Sequence, residues 1–499
     1  MYRRNRIAGL AATLTLFVVP AFACGDRIGA NGLNLTSASL TDLTAALAAH
    51  KTTSVALVKA YLARIAACNG ELHAIISIAP NALETAAAMD AERAAGKLRG
   101  PLHGIPVVIK DNIDFAGMVT TAGSLALADN LRVRSAPLVD RLEAAGLIVI
   151  AKANLSEWAN FRSDNSSSGW SAVGGLAVNP VNRLRTACGS SSGSAAAVAA
   201  HLAPLAVGTE TNGSIVCPSS ITGLVGLKPT VGLIAGEGIV PISHTQDTAG
   251  PMTTRVADAA LLLGALAKTP TDYRAALAPG ALKGVRLGVA RFIRGFSPQT
   301  LAVFGAALEK LKAAGAELVD VNQYDENAPG ELEMTILLTE FKADLNAYLS
   351  TAPPAVKTRT LADLIAFNTA TPRELEFFGQ DVFEQAQAAK GLDDADYRAK
   401  LAQALSLTRE QGIDKLLAEH RVVALIAPTT GPAWMIDLVN GDRGTGSSSS
   451  LAAMAGYPHL TVPMGRVAGL PVGLSFIGKA NDEQTLLSLG YAYELARGD

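Results

Sequence analysis

The sequence predicts an α/β protein in which a large β-sheet is covered by helices on both faces. Helical and apolar segments alternate along the chain, as in 137–145 followed by 147–151, and 195–202 followed by 205–207. Such alternation builds a sheet between helix layers. The strand candidates, among them 105–109 and 422–427, are short apolar runs that read as buried strands. A chain of 499 residues, 49% hydrophobic and only 17% charged, can fill a core of that size and is not of the disordered class.

The first residues read as an export signal. Arg3, Arg4 and Arg6 precede an apolar run over 7–19, and Ala21-Phe22-Ala23 forms a cleavage site, giving a signal peptide over 1–23. The run is too short to span a bilayer comfortably. The expectation is an exported protein, periplasmic or secreted, with no membrane association after cleavage. Twin-arginine export stays open, and so does a lipid anchor at Cys24, although Ala21 and Phe22 make a poor lipobox. Cys24, Cys68, Cys188 and Cys217 then meet an oxidising compartment, and four cysteines allow three pairings. A bridge between Cys188 and Cys217 and two inert buried thiols are both open. No Cys or His spacing suits a metal, no cofactor is expected, and a net charge of −2 leaves no footprint for nucleic acid.

Residues 36–96 read as helices: Ser39 or Thr41 caps the first, Ser54 the second, and 82–97 forms a third. The run 105–109 then delivers Lys110 to what reads as an interior. An exposed lysine paired with Asp111 or Asp114 is the plain alternative. A buried lysine loses its proton, because desolvation disfavours the charged form, and a neutral amine can act as a base. His103 and His244 are the competing bases. Beyond 147–151, the stretch 163–185 is loop-like and approaches the most unusual part of the chain. Here CGSSSGS (188–194) and TNGS (211–214) bracket a helix of small residues and a short strand. Glycines allow close backbone approach, consecutive amides can hold an oxyanion, and the hydroxyls beside them are candidate nucleophiles.

Together, GPLHGIPVVIKDN (100–112), CGSSSGS and ETNGSIV (210–216) strongly resemble the amidase signature family. The resemblance implies the amidase-signature fold, with a large mixed β-sheet covered by helices on both faces. It also implies a Ser–cis-Ser–Lys triad, with Lys110 as base, Ser190 as the bridging serine after a cis peptide bond, and Ser214 as nucleophile. The backbone N–H groups of Thr211, Asn212, Gly213 and Ser214 would form the oxyanion hole. Members commonly read DTGGSIR at the nucleophile. Here Asn212 stands for a glycine, which Asn tolerates at positive φ better than most residues, and Ser192 likewise stands where glycine is common. NLSEWANF (154–161), GWS (169–171), TNGSIVCP (211–218) and TQDTAGPM (245–252) resemble the bacterial peptide amidase branch. That branch implies hydrolysis of C-terminal carboxamides of peptides to carboxylate and ammonia. Aryl or fatty acyl amides or esters are the alternative, and a component of a larger assembly that supplies ammonia to aminoacyl-tRNA is a third reading. The expected partner is a small-molecule or peptide amide, with the protein a monomer or homodimer.

The resemblance covers about 40–266 and returns at 446–496. Between them, 275–420 is variable in the family. It reads as strands at 285–289 and 318–321, then helices at 298–313, 331–349, 373–389 and 393–420, broken by Pro353 and Pro354. The expectation is one domain over 36–499, with 275–420 as a helical cap shaping the acyl side of the pocket.

Overall fold

The computed structural model of the chain describes residues 29–30, 32–325 and 327–498; the expected signal peptide and Cys24 lie outside them. The alternating segments assemble as expected. Eleven strands make one mixed sheet: β1 (Ile75–Ile78), β2 (Pro106–Lys110), β3 (Ile148–Ala153), β4 (Ala206–Glu210), β5 (Val225–Lys228), β6 (Thr248–Thr253), β7 (Arg286–Ala290), β8 (Glu317–Val321), β9 (Ala424–Pro428), β10 (His459–Val467) and β11 (Leu470–Ile477). Their order is β8-β7-β9-β11-β10-β5-β6-β4-β2-β3-β1. The triplets β8-β7-β9 and β4-β2-β3 are parallel; the other neighbours are antiparallel. Every residue of β2, β3, β4, β5, β6, β9 and β11 is buried. Successive side chains of a strand point to opposite faces, so the sheet is covered on both.

The helices before residue 270 are α1 (Leu40–Ala48), α2 (Ser54–Leu72), α3 (Ala82–Ala94), α4 (Pro137–Ala144), α5 (Ser192–Ala199), α6 (Val216–Thr222) and α7 (Val256–Leu266). Ser39 caps α1 through a capping box with Asp42. Thr53, rather than Ser54, caps α2. The stretch 36–96 is not wholly helical, because it also contributes the edge strand β1.

Further along, α8 (Pro298–Ala313) has its expected bounds, and α9 (Asn327–Ser350) begins one turn before position 331. Next come α10 (Leu361–Ala370) and α11 (Asp381–Ala388). The helix expected over 373–389 is therefore confined to its second half. Tertiary contacts override the local pattern there: the Glu374 carbonyl accepts from Arg162, and Phe377 and Phe378 stack edge-on against Trp170. The helix expected over 393–420 is broken into α12 (Ala395–Thr408) and α13 (Asp414–His420) by a π-turn at Arg409–Ile413. Gly412 supplies the non-helical dihedrals there (φ −102°, ψ −112°), and Tyr324 takes up the Leu407 carbonyl at 3.1 Å. α14 (Ser450–Ala455) and α15 (Glu483–Arg497) complete the chain. The helices after 327 enclose a second apolar core, in which Phe341, Leu345, Leu361 and Phe383 meet Trp158 and Phe161.

Candidate active site

β2 and β4 are adjacent parallel strands, and both end at one edge of the core. Lys110 closes β2 and is fully buried, with Nζ 2.7 Å from Ser190 Oγ and 2.8 Å from Thr209 Oγ1. Burial pushes its amine down to about 7, against the opposing pull of Asp247 and Glu210. Asn112 donates to the same Thr209 hydroxyl at 3.0 Å and fixes its orientation. The pairings of Lys110 with Asp111 or Asp114 do not occur: Asp111 pairs with buried Lys152 at 3.0 Å and Asp114 with Arg132 at 2.8 Å. Each carboxylate finds a cation closer to its own loop, and Lys110 is left facing hydroxyls.

The serine cluster runs into the N-terminus of α5. The Gly189–Ser190 peptide bond is cis. A Cβ at Gly189 would fall 2.2 Å from Ser156 Oγ and 2.9 Å from Asn160 Nδ2, so a larger residue would have to displace both side chains. Ser191 locks this turn to β4: its Oγ donates to the Thr209 carbonyl (3.0 Å) and accepts the Thr209 amide (3.1 Å). Its own amide reaches the Ser214 carbonyl at 3.2 Å, which joins the two serine loops. A disulfide between Cys188 and Cys217 joins them again, across 29 residues of sequence. Cys68 is also disulfide-bonded.

Between β4 and α6 the chain turns at Gly213, with φ +83°. The positive φ falls on this glycine and not on Asn212, so tolerance of the left-handed region is not what Asn212 supplies. Glu210 folds back into the turn, and its carboxylate accepts the amides of Gly213 (2.9 Å), Ile215 (2.7 Å) and Val216 (3.0 Å). Among the described residues, the amides of Thr211, Asn212 and Ser214 have no such acceptor. The four-amide hole expected from the resemblance is thus a set of three open donors beside one already taken. Thr211 is held through its hydroxyl by Asp247 at 2.6 Å, and burial pushes that carboxyl up to about 6. Ser190 and Lys110 are fully buried, whereas Ser214 retains 8% exposure.

Neither histidine joins this group. His103 is buried against the Met89 carbonyl at 2.9 Å, and His244 sits on the outer surface beside Asp344 at 2.8 Å. Sequence reasoning missed Thr209, Asp247 and the turn-building role of Glu210. The first two lie next to or inside the quoted motifs, but their partners, Lys110 and Thr211, are 99 and 36 residues away in sequence, and a contact at that distance leaves no local signature. A small void of about 10 Å3 beside Asn112 is lined by Ala122, Trp158, Val240 and Ile242. Trp158, Ala159 and Asn160 all lie at positive φ (48°, 54° and 70°), a strained run of the kind found at functional sites. No group of three or more His, Cys, Asp or Glu suited to a metal occurs among the described residues.

The family model Amidase matches residues 56–487, most of the chain. The chain belongs to the amidase family. A probable amidase from Arabidopsis thaliana is 37% identical to this amidase over 488 residues, covering 93% of this chain and 90% of the relative. A glutamyl-tRNA(Gln) amidotransferase subunit from Roseiflexus sp. (strain RS-1) is 35% identical over 496 residues, covering 91% and 96%. Among solved structures, native peptide amidase from Stenotrophomonas maltophilia superposes with a TM-score of 0.87 at 48% identity, over 92% of this chain and 96% of its own. A complex of the peptide amidase PAM with the competitive inhibitor chymostatin gives 0.88 at 48% identity, over 93% and 98%. The expected mixed sheet and hydrolase class are therefore those of this enzyme.

Proposed function

We propose that this amidase hydrolyses the C-terminal carboxamide of peptides to carboxylate and ammonia through an acyl-enzyme at Ser214. The observation that carries this reading is the fully buried Lys110–Ser190 pair at 2.7 Å, tied by the Ser191 amide to the carbonyl of Ser214. Lys110, neutral near and above pH 7, takes a proton from Ser190 Oγ, and Ser190 takes one from Ser214 Oγ as it attacks the carbonyl carbon. The oxyanion that forms is met by the amides of Thr211, Asn212 and Ser214. The protons return along the same path to the leaving nitrogen, ammonia departs, and water repeats the sequence on the ester.

The likeness to peptide amidase supports a peptide substrate. The Cys188–Cys217 bridge supports export, since disulfides persist in oxidising compartments. The likeness to the glutamyl-tRNA(Gln) amidotransferase component keeps a second reading, ammonia supply to a partner enzyme. Ammonia release from amidated peptides and from simple, aryl and fatty acyl amides separates these readings, with Ser214→Ala and Lys110→Ala as controls. Release from peptides alone, abolished by both substitutions, is expected. Release only from aryl or aliphatic amides moves the substrate, and full activity of Ser214→Ala overturns the mechanism.

A further inference from the structure

Asn212 replaces a glycine that the turn does not need for its backbone, and its side chain is fully engaged. Its Oδ1 accepts from Ser449 Oγ at 2.6 Å; its Nδ2 donates to Glu333 Oε1 at 2.8 Å and to Ser450 Oγ at 3.2 Å. Glu333 lies near the start of α9 and also accepts from Gln246 Nε2 at 3.0 Å. Gln246 adjoins Asp247, which holds Thr211. One oxygen of Glu333 thus accepts from the turn itself, at Asn212, and from Gln246 in the loop whose Asp247 holds Thr211. No lysine or arginine pairs with it among the described residues, and burial pushes its carboxyl up. Glu210 fixes the inner side of the turn, and the Glu333–Asn212 contact fixes the outer side. The two open amides at Thr211 and Asn212 lie between these anchors.

We propose that Glu333 is a positioning residue: through Asn212 it lets α9 hold the Thr211 and Asn212 amides where the oxyanion forms. The inference rests on the proposed role of Ser214. It follows that a substitution in the cap changes the rate of the chemical step with little change in ground-state binding. Small displacements of such donors cost one to two orders of magnitude in rate.

The test is steady-state kinetics on an amidated peptide with Glu333→Ala, Glu333→Gln, Asn212→Gly and the Glu333→Ala/Asn212→Gly double variant. Each of the first and third should lower kcat about tenfold with KM within about twofold. The double variant should be no slower than the slower single, because both changes break one contact. Glu333→Gln should restore most of the rate, since its amide oxygen can accept both donors. A peptide aldehyde, which adds the serine hydroxyl across its C=O to give a hemiacetal, should lose affinity in proportion to kcat, whereas the product acid should not. An unchanged kcat in folded Glu333→Ala, or losses that multiply in the double variant, overturns the proposal. Should Glu333→Ala fail to fold, Asn212→Gly, which leaves α9 intact, decides alone. An active Ser214→Ala protein instead sinks the parent mechanism, so the two failures are distinct.

Discussion

At the scale of single residues, Lys110 sets a conflict between stability and activity. Its folded value of about 7 lies far below the ordinary lysine value of 10.5. Between those limits the unfolded chain binds the proton and the folded chain does not, so this residue's contribution to stability rises with pH from about 7 to about 10.5. Below about 7 both states are protonated and the full cost of burying the charge remains. Lys110→Met should therefore be inactive in ammonia release yet melt a few degrees higher than the wild type at pH 6, with the difference shrinking by pH 10. A melting temperature lower at pH 6 would contradict this account. Activity of the wild type should fall along an acid limb near pH 7 as Lys110 gains its proton. A pH–kcat/KM profile flat down to pH 5 would exclude Lys110 as the base.

At the scale of elements, the turn into α5 and the turn into α6 act as one unit set against β2 and β4. Gly193, in the first turn of α5, packs where a Cβ would lie 2.3 Å from the Ala74 carbonyl oxygen and 2.4 Å from that of Asn154. Both are backbone atoms with no rotamer to move. Gly193→Ala should lower stability by about 1–3 kcal/mol in urea melts, and should lower kcat as well, because α5 carries Ser190 and Ser191 with it. A neutral effect on both would mean that the helix can slide. The buried cross-link between Arg162 and the cap is a second element-scale joint. Its guanidinium lies 3.1 Å from Glu157, bonds the Glu374 carbonyl and stacks 4.2 Å over Phe378. Arg162→Leu leaves Glu157 buried without its cation, and should cost about 3–5 kcal/mol at neutral pH. Lower pH should relieve part of that loss, since burial already pushes the Glu157 carboxyl up and protonation removes the stranded charge. A loss independent of pH would mean that packing, not charge, dominates.

Over the whole molecule, what the sequence revealed followed from what a local pattern can encode. Apolar runs place the sheet strands to within a few residues, and Lys110, Ser190 and Ser214 come from the resemblance of their motifs to the amidase signature family. The local pattern predicts too long a helix over 373–389 and an unbroken one over 393–420, because Phe378 on Trp170 and the π-turn at Gly412, where Tyr324 takes the Leu407 carbonyl, are set by contacts distant in sequence. The same reason hid Glu333, 121 residues from the asparagine it holds. The two cysteines show the converse: both lay in view, but spacing alone could not choose between bridge and thiols. That bridge bears on activity. A reduced chain lacks one of the two ties between the serine turns. Activity should therefore depend on oxidation, with reduced chains turning over amides more slowly than oxidised ones. Protein purified under reducing conditions should show a lower kcat that recovers on air oxidation, and identical rates in both states would remove the bridge from the catalytic design.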